Sequence, residues 1–311
     1  MKYLFCLLFI FGCGDLNPFK KDNEKKDPIP TPIKILVQQA NRYCEWEYPR
    51  YQTRGYVHSK CDGAGFTSLH ALKCPNIHLD IFTDEEGKLW RSPTKDCMKN
   101  GESKSESSKD MHLMRMFTAF LQNDISYFNK VITYGTENNW VMCKVSDIES
   151  ASRCILTPSL IDLLYDARIK LKGVTPSLKT FKEESLADIP LNKGYQAHLE
   201  ILKIGLIGYV YGQISDWHLS RLKGYAKREN QNALFQFFYH MYQDGNMMVP
   251  ILILESFPRS YLPTSSQWCT KYLWQRDQDS DSWLPCPLEN QTHDGTDFGL
   301  VVYLLEKYLS K

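Results

Sequence analysis

Residues 109–135 read Lys109-Asp-Met-His-Leu-Met-Arg-Met-Phe-Thr-Ala-Phe-Leu-Gln122, then Asn123-Asp124, then Ile125-Ser-Tyr-Phe-Asn-Lys-Val-Ile-Thr-Tyr134-Gly135. Leu113, Met116, Phe117 and Phe120 recur at the spacing of one helix face, which predicts a helix over Lys109–Gln122 with that stripe turned to a core. Asn123-Asp124 breaks the helix, Ile125–Tyr134 forms a second, and Gly135 stands where a C-cap glycine would end it.

Helix, short turn, helix recurs in both directions from this stretch. Ile33, Leu36, Val37 and Ala40 predict a helix over Ile33–Tyr43, whereas residues 44–60 are aromatic and Arg-rich without a clear period. A short helix is expected over Phe66–Lys73. Thr157-Pro158 supplies an N-cap and a first-turn proline for a helix running to Lys170. Residues 171–193 read as a long surface loop. Tyr195–Gln213 is apolar and contains Gly205, Gly208 and Gly212, which predicts close helix–helix approach. Ser215-Asp216 caps a helix over Trp217–Lys227, Asn232–Gln243 forms another, Met247–Phe257 reads as helix or strand, and Phe298–Leu309 closes the chain as a helix. Period-two alternation is nearly absent. The fold class is therefore mainly α, one domain of helical hairpins over 33–311.

Of the 311 residues, 43% are hydrophobic and 23% charged, which suits a sizeable core. The net charge of +1 gives no global field to recruit nucleic acid. The chain begins with one lysine and a short apolar run, Tyr3 to Phe11, too short to span a bilayer. It reads as a signal peptide over 1–12, with a buried N-terminal strand as the other reading. Ile10-Phe11-Gly12-Cys13 resembles a bacterial lipobox, which implies export to a bacterial cell envelope and a lipid on Cys13 that anchors the protein to a membrane. Residues 13–32 hold four lysines and four prolines and read as a disordered tether.

Eight cysteines remain beyond Cys6 and Cys13, an even number that in an exported chain predicts disulfides, against a reading as buried free thiols. Cys143 and Cys154 flank one loop and are expected to pair, as are Cys269 and Cys286. Cys61 and Cys74 sit at opposite ends of the Phe66–Lys73 helix, too far apart to bond. Cys44, Cys61, Cys74 and Cys97 are left to staple the region between them. No CxxC occurs, which argues against a zinc ribbon. His58, His70 and His78 have no motif spacing and read as surface or core histidines.

The helix pairs resemble α/α toroids, the architecture of many glycan-degrading enzymes. Ser107-Ser108-Lys109-Asp110 resembles the Ser-Arg-Asp type of sequence at their cleft-facing helix starts, and Tyr134-Gly135 with Asn139-Trp140 resembles their inter-hairpin turns. The resemblance implies an α/α toroid, complete or incomplete, and a glycan-acting hydrolase. Glycoside cleavage needs a protonated carboxylic acid and a carboxylate across a sugar. Asp62, Asp110 and Asp297 are the candidates; all three also suit plain helix-start carboxylates. Trp90, Arg91 and Lys109 are candidates for substrate binding through sugar stacking and charge–hydrogen-bond contacts, with Trp90 equally suited to a core. Asp277, Asp279 and Asp281 alternate like the first half of a calcium loop, but Ser282 and Leu288 replace its glycine and glutamate, so an acidic solvated loop is the other reading. No other cofactor is implied, because no P-loop, GxGxxG, HExxH or GxSxG is present. Two functions follow: a membrane-anchored glycan hydrolase, or a non-enzymatic envelope lipoprotein that binds a glycan or a protein.

Overall fold

The computed structural model describes residues 31–57, 63–95, 98–99, 102–103, 107–143, 154–178, 194–228, 230, 232–255 and 296–310. In chain order these form α1 Thr31–Arg54, α2 Gly63–Ala71, β1 Met98–Lys99, β2 Glu102–Ser103, α3 Lys109–Leu121, α4 Ile125–Glu137, α5 Pro158–Leu171, α6 Gly194–Tyr211, α7 Asp216–Arg228, α8 Ala233–Gln243, α9 Met248–Glu255 and α10 Thr296–Leu309. The protein is mainly helical, and among the described residues the short strands β1 and β2 pair antiparallel. Among the described residues, no helix is long and apolar enough to cross a membrane.

At the centre stands α3, packed by α2, α4, α5 and α6. Every residue from Met111 to Ala119 is buried, including His112, Arg115 and Thr118. The sequence predicts one apolar face, but a helix with neighbours all round must bury its polar face as well. Arg115 meets that demand through an ion pair with Asp124 at 2.7 Å and a cation–π contact with Tyr127. Asp124 is also the N-cap of α4, accepting from the Tyr127 N–H at 3.0 Å. One carboxylate thus starts α4 and neutralises a buried guanidinium of α3.

The helix expected over Ile33–Tyr43 runs on to Arg54 and passes through Pro49. Ile33, Leu36, Ala40, Tyr43, Glu47 and Tyr51 form its buried face. The polar Glu47 interrupts the apolar pattern, which hides the second half from periodicity. Pro49 removes one intrahelical donor, and the Pro49 carbonyl is still used, accepting from the Thr53 hydroxyl at 2.9 Å. Gly135 does not end α4 as a C-cap: it lies inside the helix, where a Cβ would stand 2.4 Å from the Trp140 ring, and the cap falls at Asn138. Met247–Phe257 resolves as helix, over Met248–Glu255.

Other local signals translate directly. Thr157 Oγ1 caps α5, Asn232 Oδ1 caps α8 and Ser215 Oγ caps α7. The glycines of α6 meet aromatic rings of α8: a Cβ on Gly205 would lie 2.5 Å from Phe238, and one on Gly208 would collide with Tyr242. Cys143 and Cys154 are bonded, with Cα atoms 5.9 Å apart, and Met142 N–H to Cys154 O at 3.1 Å pins the base of that loop. Of the four cysteines in the 44–97 region, Cys44 and Cys74 pair, joining α1 to the end of α2.

α2 and α3 are neighbours without being a hairpin. Gly65 near the head of α2 packs on Met111 and Met114 near the head of α3. At the other end Gln122, just past α3, donates to the Ala71 carbonyl of α2 at 3.4 Å. The two helices therefore run parallel, and residues 72–108 carry the chain back from the tail of one to the head of the other.

Candidate functional site

The parallel pair gathers several of the sequence candidates at its head. A Cβ on Gly63 would sit 2.9 Å from Tyr56 and 3.1 Å from the Arg91 carbonyl, so only glycine lets these segments touch. That carbonyl accepts the Ala64 N–H at 2.9 Å, satisfying one of the four open donors of the α2 N-terminus. Arg91 itself is half-buried beside that end. Residues 107–110 lead into α3: Ser107 Oγ and His112 Nε2 share a hydrogen bond of 2.9 Å, and the Ser108 hydroxyl donates to the Asp110 carboxylate. Asp110 occupies the first turn of α3, where the helix dipole favours a carboxylate. Lys109, half-buried, opens the helix.

His112 is fully buried, and burial lowers its pKa to about 4 against the opposing pull of Asp110. Its imidazole is therefore neutral at pH 7 and fixes the lead-in to α3 by hydrogen bonding. Trp90 neighbours Arg91 on a turn closed by the Thr83–Leu89 bridge. Its indole N–H donates to Asp84 at 2.9 Å, and the ammonium groups of Lys88 and Lys95 lie 4.2 and 4.4 Å from its ring. The ring is thus neither core nor a bare platform: cations already occupy positions over it.

Asp297 is elsewhere. It stands in the first turn of α10 and pairs with His198 of α6 at 3.2 Å, both buried. Two residues on, Gly299 packs against Lys73, which follows α2 at its tail. From Gly65 to Lys73 is roughly 12 Å of helix rise, so Asp110 and Asp297 lie toward opposite ends of α2. The structure brings Asp110 and Arg91 to one end and does not bring Asp297 to them. Asp62, Cys13, Cys269, Cys286 and the alternating Asp277, Asp279 and Asp281 lie outside the described residues.

A second polar cluster went unread in the sequence. Glu200 of α6 takes a two-pronged hydrogen bond from Arg221 of α7, at 2.8 and 2.7 Å, and also accepts from the Tyr225 hydroxyl. Burial, with the Glu200 charge beside it, pushes the Tyr225 phenol well up. Nearby Lys203 donates to Ser159 at 2.9 Å, and burial followed by the Lys203 charge lowers His218 to about 4. A locked carboxylate–guanidinium fork of this kind orders α6 against α7. Its sequence signal is Glu200 and Lys203 set within the largely apolar run of α6. No protein-family model, curated protein or solved structure matches this chain.

Proposed function

We propose that this protein is an exported, lipid-anchored, glycan-acting hydrolase whose substrate site is the shared head of α2 and α3. One observation carries the reading: Gly65 lets the heads of α2 and α3 pack and Gly63 admits the Arg91 carbonyl, so the first turn of α3 with Asp110 and the segment of Arg91 both lie at the end of α2 that directly follows Asp62. In this reading Asp62 and Asp110 are the paired carboxyl groups, one donating a proton to the glycosidic oxygen and the other acting as base or nucleophile. Arg91 holds a sugar carboxylate or hydroxyl, with Lys109 and Trp90 at the rim. Asp297 is reassigned as the partner of His198. The toroid arrangement belongs to the same proposal, as does calcium binding by Asp277, Asp279 and Asp281.

The test is release of reducing ends from peptidoglycan and a panel of neutral and acidic polysaccharides by the full mature chain. Asp110→Asn keeps the shape and the Ser108 contact but removes ionisation, so a fall of at least 100-fold in rate is expected on the scale of general acid–base catalysis, with the circular dichroism melt nearly unchanged. Undiminished hydrolysis in both Asp110→Asn and Asp62→Asn would overturn the assignment. Anchoring is tested separately: mass spectrometry of the protein from its native host is expected to find an acylated N-terminal Cys13, and an intact Met1 would refute it.

The non-enzymatic reading draws on a different observation. Asp110 accepts from Ser108 in the first turn of a helix, the ordinary place of a capping carboxylate. Glycan binding with no bond cleavage, lost on Arg91→Ala and kept in Asp110→Asn, would favour it.

A further inference from the structure

The tail of α2 carries a cluster that the hydrolase reading does not use. The Cys74 N–H donates to the His70 carbonyl at 3.1 Å, so helical geometry persists past Ala71 and sets His70 and Cys74 on one face. Cys44 of α1 faces them, its Cα 5.3 Å from that of Cys74. A ring nitrogen of His70 and the two sulfurs lie within 4.8 Å of one another. His70 and Cys74 are buried and Cys44 is half-buried, so solvent approaches from the α1 side.

We propose that this disulfide is one state of a redox-gated metal site: once reduced, Cys44, Cys74 and His70 bind a thiophilic divalent cation of the zinc class. Two thiolates and an imidazole are soft and borderline donors, which select such an ion over calcium or magnesium. Zinc–sulfur bonds of about 2.3 Å and zinc–nitrogen bonds of about 2.0 Å place tetrahedral donor atoms about 3.4–3.8 Å apart. The sulfurs must part by about 1.7 Å from disulfide bonding distance and the imidazole must close by up to about 1.3 Å, shifts of the size that side-chain rotation supplies. Three protein donors leave a fourth position for water from the Cys44 side, the donor count of a catalytic or exchangeable zinc rather than a closed structural one.

The chemistry balances with a dithiol as reductant. Thiol–disulfide exchange breaks the Cys44–Cys74 bond, the dithiol loses two electrons and becomes a disulfide, and its two protons end on the cysteine sulfurs. Metal binding then releases both protons as the thiolates form, and no electron reaches the metal. In an oxidising compartment the disulfide state holds; in a reducing one the metal state replaces it. The cluster lies at the opposite end of α2 from Asp110, so this inference stands or falls apart from the hydrolase reading.

The test uses the full mature chain, reduced with dithiothreitol, desalted without oxygen and titrated with Co2+ as the probe, followed by Zn2+ competition. The first equivalent is expected to give thiolate-to-cobalt charge-transfer absorption that is absent from the oxidised protein. His70→Gln, which keeps the disulfide, is expected to weaken that binding at least tenfold, and Cys74→Ser to remove it. Absence of the band in the reduced protein overturns the proposal. So does a band undiminished in either variant, because it then belongs to other cysteines. Helical circular dichroism runs in parallel: if reduction unfolds the chain, recovery on adding metal supports the site and failure to recover overturns it.

Discussion

His112 is uncharged in the folded protein because its full burial costs an imidazolium more than the nearby Asp110 charge returns. Its pKa is lowered to about 4 from an ordinary 6.5. Below about pH 6.5 the unfolded chain therefore takes up a proton that the folded chain refuses. Stability falls as pH drops from about 6.5 toward 4 and then levels off, since below the folded value both states are protonated. The full effect is on the order of 3 kcal/mol. His218, lowered to about 4 as well, adds a term of the same sign. Urea midpoints at pH 7 and pH 5 check this. His112→Gln keeps a hydrogen-bonding partner for Ser107 but cannot titrate, so its midpoint is expected to shift less between the two pH values. An unchanged pH dependence would show that His112 is not the group responsible. Sequence alone shows that a histidine sits four residues into a helix start. It does not show burial, because that depends on the helices packed around α3.

At the scale of elements, the contact between α6 and α8 is the clearest case of a sequence feature with a tertiary meaning. Glycines inside a helix cost about 1 kcal/mol each relative to alanine, so their presence in α6 predicts a close neighbour, and Phe238 and Tyr242 are that neighbour. Gly205→Ala would gain helix propensity and lose more, because the new methyl would stand 2.5 Å from a fully buried phenyl ring. A net loss of about 1–2 kcal/mol is expected from overpacking, read as a lowered urea midpoint with unchanged slope; a stabilised variant would mean the ring moves aside freely. The same reasoning explains why α2 gives no amphipathic signal. All nine of its residues are buried, so it has no polar face to set against an apolar one. The limits of α1 were hidden for the opposite reason, a buried Glu47 and an internal Pro49 in an otherwise regular stripe.

Across the whole molecule, the first and last described helices meet. α10 packs on α1, α2 and α8, Tyr43 lies edge-on to Phe298 at 5.3 Å, Lys73 pairs with Glu306 at 2.6 Å, and Tyr303 reaches the Leu121 carbonyl at 3.2 Å. Phe298, Leu300, Val301, Val302, Leu304 and Leu305 are each nearly or fully buried. At about 1.5–3 kcal/mol per side chain they contribute on the order of 10 kcal/mol, comparable with the entire net stability of a domain. Removing residues 296–311 is therefore expected to abolish cooperative thermal unfolding and expose apolar surface to dye binding. A truncated chain that still melts sharply would show that the rest folds without its C-terminal helix. Such long-range closure also predicts slow folding relative to local helical bundles.

The sequence by itself determined the helical class, most helix starts, the tight approach at Gly205 and Gly208, and the Cys143–Cys154 pair. These depend on spacing, capping chemistry and short loops, all of which are local. Tertiary structure alone decided that α2 and α3 run parallel, that α3 is buried on every side, that Cys44 chooses Cys74, and that Asp297 joins His198 while Asp110 lies at the other end of α2, the end that the Arg91 carbonyl meets. Each of those depends on which helix becomes a neighbour of which, and a one-dimensional pattern carries the period of a face but not the identity of what covers it.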